Sequence, residues 1–357
     1  MIKKECFTAE WIEQVSSELH YNDKNLIEKV IRALSLLEML VKAGCPLVFK
    51  GGTALMLILG KSAHRLSIDI DLICPPGTNI EDYLKSFADF GFINLELVER
   101  KQRDDADIPK SHSKFFYQIA YRNDTDAQSY ILLDGLYEDI HYFRTQQIAI
   151  NCPFIRLEGK PLMVTVPSAE DILGDKLTAF APNTTGIPYY KNGRSCSMEI
   201  AKQLYDVGRL FENVSDLQIT KEAFRKIAVV ELSYRSFGTD IGQVFNDIRQ
   251  TALCISTRGK AGEGDFDLIQ DGIIRVKSFM YKQRYLIDHA IIDAARAAYL
   301  ATLIEKGINE IESYSNNPAD IKDMVIRPSL PNKLNKLRSN LPEAYYYWAK
   351  TSELLEA

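Results

Sequence analysis

The stretch Leu47–Cys74, LVFKGGTALMLILGKSAHRLSIDIDLIC, holds a short apolar run, a Gly51-Gly52-Thr53 turn, an apolar segment of helical length and an alternating run with two aspartates. Side chains of a strand alternate between faces. Read as a strand, Arg65–Leu72 places Ser67, Asp69 and Asp71 on one face and Leu66, Ile68, Ile70 and Leu72 on the other. One face packs and the other is available for chemistry. A rise of roughly 3.3 Å per residue sets the two aspartate Cα atoms about 6.6 Å apart. That spacing suits a pair of divalent cations, which in phosphoryl-transfer sites lie about 3.5–4 Å apart.

The flanks give this stretch its context. Gly44 stops a preceding helix, Pro46 prevents its continuation, and Leu47-Val48-Phe49 reads as a short buried strand. Thr53–Leu59 is apolar nearly all round, as a short helix inside a core would be. Its N-terminus falls at the glycines, where backbone N–H groups and the helix dipole favour an anion and glycine allows a phosphate close approach. Lys50 adds a point charge there. A Gly-Gly-Thr sequence is also common in plain turns, so alone it does not establish phosphate binding.

With 357 residues, 46% hydrophobic and 25% charged, the chain has the composition of a globular protein of one large or two ordinary domains. A formal net charge of -5 excludes a wholesale basic surface, so any nucleic-acid contact has to come from local patches. The six cysteines lack CxxC spacing, which points to reduced thiols rather than a zinc site or disulfide framework. No apolar h-region follows Met1-Ile2-Lys3-Lys4-Glu5, and apolar runs such as Leu55–Leu59 are too short to span a bilayer. The expectation is a cytoplasmic protein without membrane contact.

Working outward, Thr8–Leu19 and Asn22–Ala43 carry helical periodicity, the second with its charges expected mainly on the face away from the core. Ile80–Asp89 reads as a further helix. Strands are expected over Phe92–Glu99, Lys114–Tyr121, Ser129–Leu133, Ile148–Ile155 and Leu162–Val166, with an exposed hairpin loop over Arg100–Lys110. Asp134, which precedes Gly135, reads on spacing alone as a turn aspartate. A strand beside the Asp69/Asp71 strand would instead carry it into the same site as a third carboxylate.

A helix from Ala169 to about Phe180 places Lys176 inside an apolar stripe of Ile172, Leu173, Leu177 and Phe180, where an inward lysine needs an anionic partner or must snorkel. Pro182–Ser197, with Tyr189, Tyr190, Lys191 and Arg194, reads as an irregular loop. In the following helix, Met198–Phe211, Lys202 and Asp206 have the spacing of a solvated i,i+4 pair. Beyond Asn213 the pattern is helical. Residues Arg327–Arg338 form a local basic stretch, read as a solvated linker with RNA-backbone contact as the alternative. The domains expected are 1–212 and a helical 213–357.

In order, Lys50-Gly51-Gly52-Thr53, Arg65-x-Ser67-x-Asp69-x-Asp71, Lys176-Leu177 and Leu204-Tyr205-Asp206 resemble the AbiEii/AbiGii toxin family, a branch of the DNA polymerase β-like nucleotidyltransferase superfamily. The similarity covers roughly Leu47 to Leu210. It implies an α+β fold, a nucleotidyltransferase-like mixed β-sheet flanked by helices and followed by a mostly helical region. It also implies Mg²⁺-dependent transfer (Mn²⁺ as alternative ion) from an NTP, with an RNA acceptor such as a tRNA 3′ end, and a separate antitoxin. Carried over by position, Lys50, Gly51, Gly52, Thr53, Arg65 and Ser67 would bind nucleotide, Asp69 and Asp71 would hold metal with Asp134 as third ligand, Lys176 would contact phosphate and Asp206 would complete the site. The same nucleotide site would serve transfer to a protein side chain. A module that binds nucleotide or antitoxin without catalysis is the alternative of another class, and the Asp69/Asp71 pair argues against it, because paired carboxylates repel without a cation.

Overall fold

The structure, a computed structural model, describes residues 1–98, 110–121, 127–214, 216–235, 238 and 240–357. The hairpin loop expected over 100–110 lies, apart from Lys110, outside the described residues. By contacts the chain divides into two compact units, Met1–Ser168 with Ser278–Arg284, and Ala169–Lys277 with Tyr285–Ala357.

The first unit is built on a five-stranded mixed sheet of β1 (Val48–Lys50), β2 (Ile70–Cys74), β3 (Asn94–Val98), β4 (Lys110–Gln118) and β5 (Gln128–Tyr137), in the order β1-β2-β5-β4-β3. β2 and β5 run parallel and the other pairs antiparallel. A second ribbon joins β6 (Thr145–Ala149) to β7 (Met163–Pro167). Helices α1 (Ala9–Glu18), α2 (Lys24–Lys42) and α3 (Gly51–Leu59) bury their apolar residues in one cluster with Phe49, Leu66, Ile70, Leu72, Phe115, Ile131 and Leu133. Thr8 and Asp23 cap α1 and α2 by accepting from Trp11 N and Leu26 N, as residues that satisfy free helix amides do.

Three local expectations change. Only Ile70–Cys74 of the run Arg65–Cys74 joins the sheet. Upstream, the backbone is bonded elsewhere: Leu66 N donates to Phe279 O, and Asp69 O accepts from Thr53 Oγ1. Here burial does not alternate: Arg65 and Leu66 are both buried, Ser67 and Ile68 both half-buried, and only Asp69 is exposed before the buried Ile70. Residues 80–90 form two 3₁₀ turns, Ile80–Tyr83 and Phe87–Phe90, rather than one helix. A ten-residue run without strong propensity takes the conformation its packing allows. Finally, Glu28, Arg32, Ser35 and Glu38 of α2 are buried. Arg32 donates to Glu28 Oε1 (3.3 Å) and Gly91 O (3.1 Å) and lies over the rings of Phe7 and Tyr117, while both Glu28 oxygens accept from Ala120 N (3.1 Å). This pair ties α2 to the segment after β4.

In the second unit, α4 (Ala169–Ala179), α5 (Ser197–Phe211), α6 (Leu217–Ser233), α7 (Ile241–Ser256), α8 (Phe266–Val276), α9 (Ile287–Lys306), α10 (Leu337–Asn340) and α11 (Pro342–Glu356) pack together with a small ribbon of β8 (Tyr190–Lys191) and β9 (Arg194–Ser195). By contacts this unit begins at Ala169. A Cβ on Gly174 of α4 would come within 2.7 Å of Phe224 N and 2.8 Å of Thr220 O, so glycine lets α4 touch the backbone of α6. The stretch 182–197 is not wholly irregular, since it contains the β8–β9 ribbon. Residues 327–338 are folded too, with Leu334 and Leu337 buried, which replaces the linker reading. At the α5–α9 contact Asp293 is fully buried, and burial lifts its carboxyl to about 6 against the opposing pull of Arg296 and Arg209.

Removing one partner of a buried ion pair leaves the other uncompensated. Arg32→Ala should destabilise the protein by about 3–5 kcal/mol in urea unfolding. A loss below ~1 kcal/mol would show that the Glu28–Arg32 pair does not hold α2 in place.

Candidate active site

The sheet's pairing creates one lateral row. Lys50 of β1 lies opposite Asp71 of β2, Asp71 opposite Asp134 of β5, and Asp134 opposite His112 of β4. Register partners share a face of a sheet, and neighbouring strands lie about 4.8 Å apart, so these four side chains form one charged line. The opposite face of β2 and β5, with Ile70, Leu72, Ile131 and Leu133, is in the core. Asp134 is thus a mid-strand residue and not the turn aspartate that spacing suggested. His112 Nδ1–H donates to Asp134 Oδ1, the histidine side chain being 9% exposed and the aspartate 32%. No sequence motif marked His112, because its partner is set by a non-local register.

Gly51, the first residue of α3, has φ +78, a conformation in the left-handed region. A Cβ there would stand 2.1 Å from Asp71 Oδ2, so the aspartate carboxylate rests directly on the glycine backbone. At Gly52 a Cβ would meet Ser67 Oγ at 2.7 Å and Arg65 Nη2 at 2.9 Å. The two glycines therefore let Arg65, Ser67 and Asp71 pack directly against the backbone at the start of α3. The N-cap residue of α3 is Lys50, whose side chain makes no capping bond. Thr53 is fully buried and its hydroxyl donates to Asp69 O at 2.7 Å, so it braces the aspartate segment. Arg65 is buried and Nη1 donates to Leu66 O at 3.0 Å.

Lys176 and Asp206 meet within the second unit. Lys176 Nζ lies 3.0 Å from Asp206 Oδ2 and donates to Gln203 Oε1 at 3.0 Å, with side-chain exposures of 9% and 2% for the pair. The inward lysine of the apolar stripe thus has an anionic partner in α5, and Asp206 is buried rather than in a solvated pair with Lys202.

Two adjacent carboxylates repel unless a cation or proton intervenes. Lys50 flanks one end of the Asp71–Asp134 pair and His112 the other. Hard carboxylate oxygens are the donor set that suits Mg²⁺, which is usually bound by one or two carboxylates together with substrate phosphates. Among the described residues no three His, Cys, Asp or Glu side chains are gathered closely enough to hold an ion by themselves.

A model of the family "Nucleotidyl transferase AbiEii toxin, Type IV TA system" matches residues 34–319. The chain belongs to the AbiEii nucleotidyltransferase toxin family. This AbiEii enzyme is also similar to solved structures. JHP933 from Helicobacter pylori shares 15% identity at a TM-score of 0.40, with 86% of this chain and 95% of that one covered. MenT4, a nucleotidyltransferase toxin from Mycobacterium tuberculosis, shares 14% identity at a TM-score of 0.39, covering 82% and 89%. No curated protein sequence matches the chain. Among the described residues no helix is long and apolar enough to cross a membrane.

Two substitution series follow from the geometry of this AbiEii toxin. Gly51→Ala, which faces both a left-handed φ and the Asp71 carboxylate, should cost about 1–3 kcal/mol. Gly52→Ala, meeting only side-chain ends, should cost less; thermal melts showing the reverse order would refute the close approach at Gly51. For the second unit, Lys176→Met and Asp206→Leu should each cost about 3–5 kcal/mol, whereas the double variant recovers most of that loss. Additive losses in the double-mutant cycle would show that the two residues are not coupled.

Proposed function

We propose that this nucleotidyltransferase toxin transfers a nucleotide from an NTP to an RNA acceptor, a tRNA 3′ end, and that a separate antitoxin restrains it. The observation that carries the site is the placement of Asp71, against Gly51 on one side and in register with Asp134 on the other. The RNA acceptor is supported by the family resemblance.

In this reading the Gly51 and Gly52 backbone and the N-terminus of α3, with Lys50, receive the triphosphate, since a helix dipole favours anions and glycine allows close approach. Arg65 and Ser67 pack on Gly52 and border the nucleotide-binding turn. Asp71 and Asp134, with Asp69, would hold Mg²⁺ together with the substrate phosphates, and the ion would supply neutralisation of phosphate charge. His112 fixes Asp134 through Oδ1 and leaves Oδ2 directed away from that hydrogen bond. The acceptor hydroxyl attacks the α-phosphorus in line; its oxygen bonds to phosphorus, the bond to the β-phosphate breaks, and the hydroxyl proton passes to a base. Asp134 Oδ2 is the carboxylate oxygen assigned to that proton or to the cation. Little covalent work falls to the protein, so positioning and charge carry the rate. Lys176 and Asp206 enter with the roles that the family pattern assigns to their positions.

The test is incubation of the full chain with Mg²⁺, each α-labelled NTP in turn, and total RNA or total protein. Label should enter RNA, and Asp71→Asn and Asp134→Asn should lower the rate at least ~10²-fold, as loss of charge-stabilising groups does. Label confined to protein would replace RNA by a protein acceptor. Label in neither, with Asp71→Asn indistinguishable from wild type, would leave a binding module. Activity retained in the stable Lys176→Met/Asp206→Leu double variant would remove that pair from the machinery.

A further inference from the structure

Two stretches without acidic residues, 182–197 and 327–338, carry cations on this acidic chain. The structure separates them. In the second, the cations are largely occupied within the protein. Arg327 pairs with Glu356 at 3.6 Å, Lys333 donates to Lys260 O, and Arg338 donates to Ile321 O at 3.0 Å and to Lys322 O. These groups hold the C-terminal segment together.

The first stretch is built differently. β8 and β9 form a two-residue ribbon closed by Asn192 (φ +52) and Gly193 (φ +74), the Asn-Gly hairpin turn that matches strand twist. Its base is closed by Cys196 N donating to Tyr189 O at 2.9 Å, and Ser195 Oγ bonds Ser197 Oγ at 3.0 Å at the start of α5. The preceding segment is clamped as firmly. The buried Asp247 of α7 accepts from Asn183 N, Asn183 Nδ2 and Thr184 Oγ1, each at 2.8 Å, and Arg235 donates to the carbonyls of Thr184, Thr185 and Gly186. Tyr189 leaves no room for a side chain at Gly264, where a Cβ would lie 2.6 Å from its hydroxyl. The ribbon is a finger on a rigid footing.

At its tip, Tyr190, Lys191 and Arg194 are all exposed, Tyr190 to 57%. Lys191 and Arg194 are register partners, so two cations sit directly opposite on one face. Neither makes an ion pair among the described residues. Like charges across a strand pair are unfavourable, and an anion placed between them relieves the repulsion. Tyr190, alternating to the other face, presents an aromatic side chain that is more than half exposed. Paired cations beside an exposed aromatic are the elements by which single-stranded nucleic acid is held: cations on phosphate, a ring on a base.

We propose that the Tyr190–Ser195 ribbon binds a single-stranded segment of the RNA acceptor, with Lys191 and Arg194 on backbone phosphate and Tyr190 stacked on a base. The proposal rests on the RNA reading of the preceding section and names an element for acceptor binding. The contact is sequence-tolerant, because phosphates and π-faces are common to every nucleotide.

The experiment compares wild type, Lys191→Ala/Arg194→Ala and Tyr190→Ala in the labelled-NTP assay with total RNA, alongside RNA binding by the full chain at several salt concentrations. All three residues are exposed, so the fold is retained, which matching thermal melts verify. The double variant should raise the KM for RNA about tenfold while the KM for NTP stays within about twofold. The slope of log K against log salt should fall by roughly 0.7 for each phosphate that the variant no longer neutralises. Tyr190→Ala should weaken RNA binding by about fivefold or more without changing the salt slope. RNA labelled by wild type with unchanged KM and salt slope in the double variant would overturn the ribbon's role and leave the RNA acceptor standing. Label absent from RNA with wild type would overturn both. Weakened capture of a protein acceptor by the same variants would assign the finger to a protein partner and refute RNA.

Discussion

Asp71 stands on Gly51 with its carboxylate where any side chain would be, and the site's other features follow from that contact. It requires a residue without Cβ at a left-handed φ, which places the start of α3 at the end of β1. Asp71 also lies in the lateral row that the sheet carries on one face. Across that row the sheet order β1-β2-β5-β4 brings together residues from four separate stretches, Lys50, Asp71, Asp134 and His112.

Both units use buried charge as well as apolar packing. Glu28–Arg32 secures α2 in the first, and Lys176–Asp206 joins α4 to α5 in the second, where Asp293 and Arg296 also lie inside. Such pairs add little net stability over apolar residues of the same size, yet each is costly to break. Their effect is to penalise alternative packings of helices that are otherwise richly apolar. For Lys176 and Asp206 this supplies a structural reason for the motif residues independent of catalysis.

Much of the secondary structure was legible in the chain. The strand Leu47–Phe49, the glycine turn, the apolar helix after it and the long α2 follow from Gly44, Pro46 and helical spacing. The helical periodicity beyond Asn213 was equally plain. Local signals misled where backbone groups found distant partners. The Asp69 carbonyl accepts from Thr53, and Arg32 is held inside by Gly91 O as well as by Glu28 of its own helix. The Asn192-Gly193 turn was present in the sequence as a hairpin signal with strands too short for periodicity to register.

By itself the sequence determined which chemical groups are available and in what local order: glycines before a helix, two aspartates of one alternating run, a lysine within an apolar stripe. Those features depend on spacing along a single element, which the periods of helix and strand convert directly into shared faces. The tertiary structure alone decided that Asp134 lies beside Asp71, that His112 holds Asp134, that Lys176 answers Asp206 and that Lys191 faces Arg194. The first three relations depend on the pairing or packing of segments far apart in the chain, and the fourth on the register of a two-residue ribbon. Register and packing are set by the sum of many weak apolar contacts, and no residue carries that sum within its own neighbourhood.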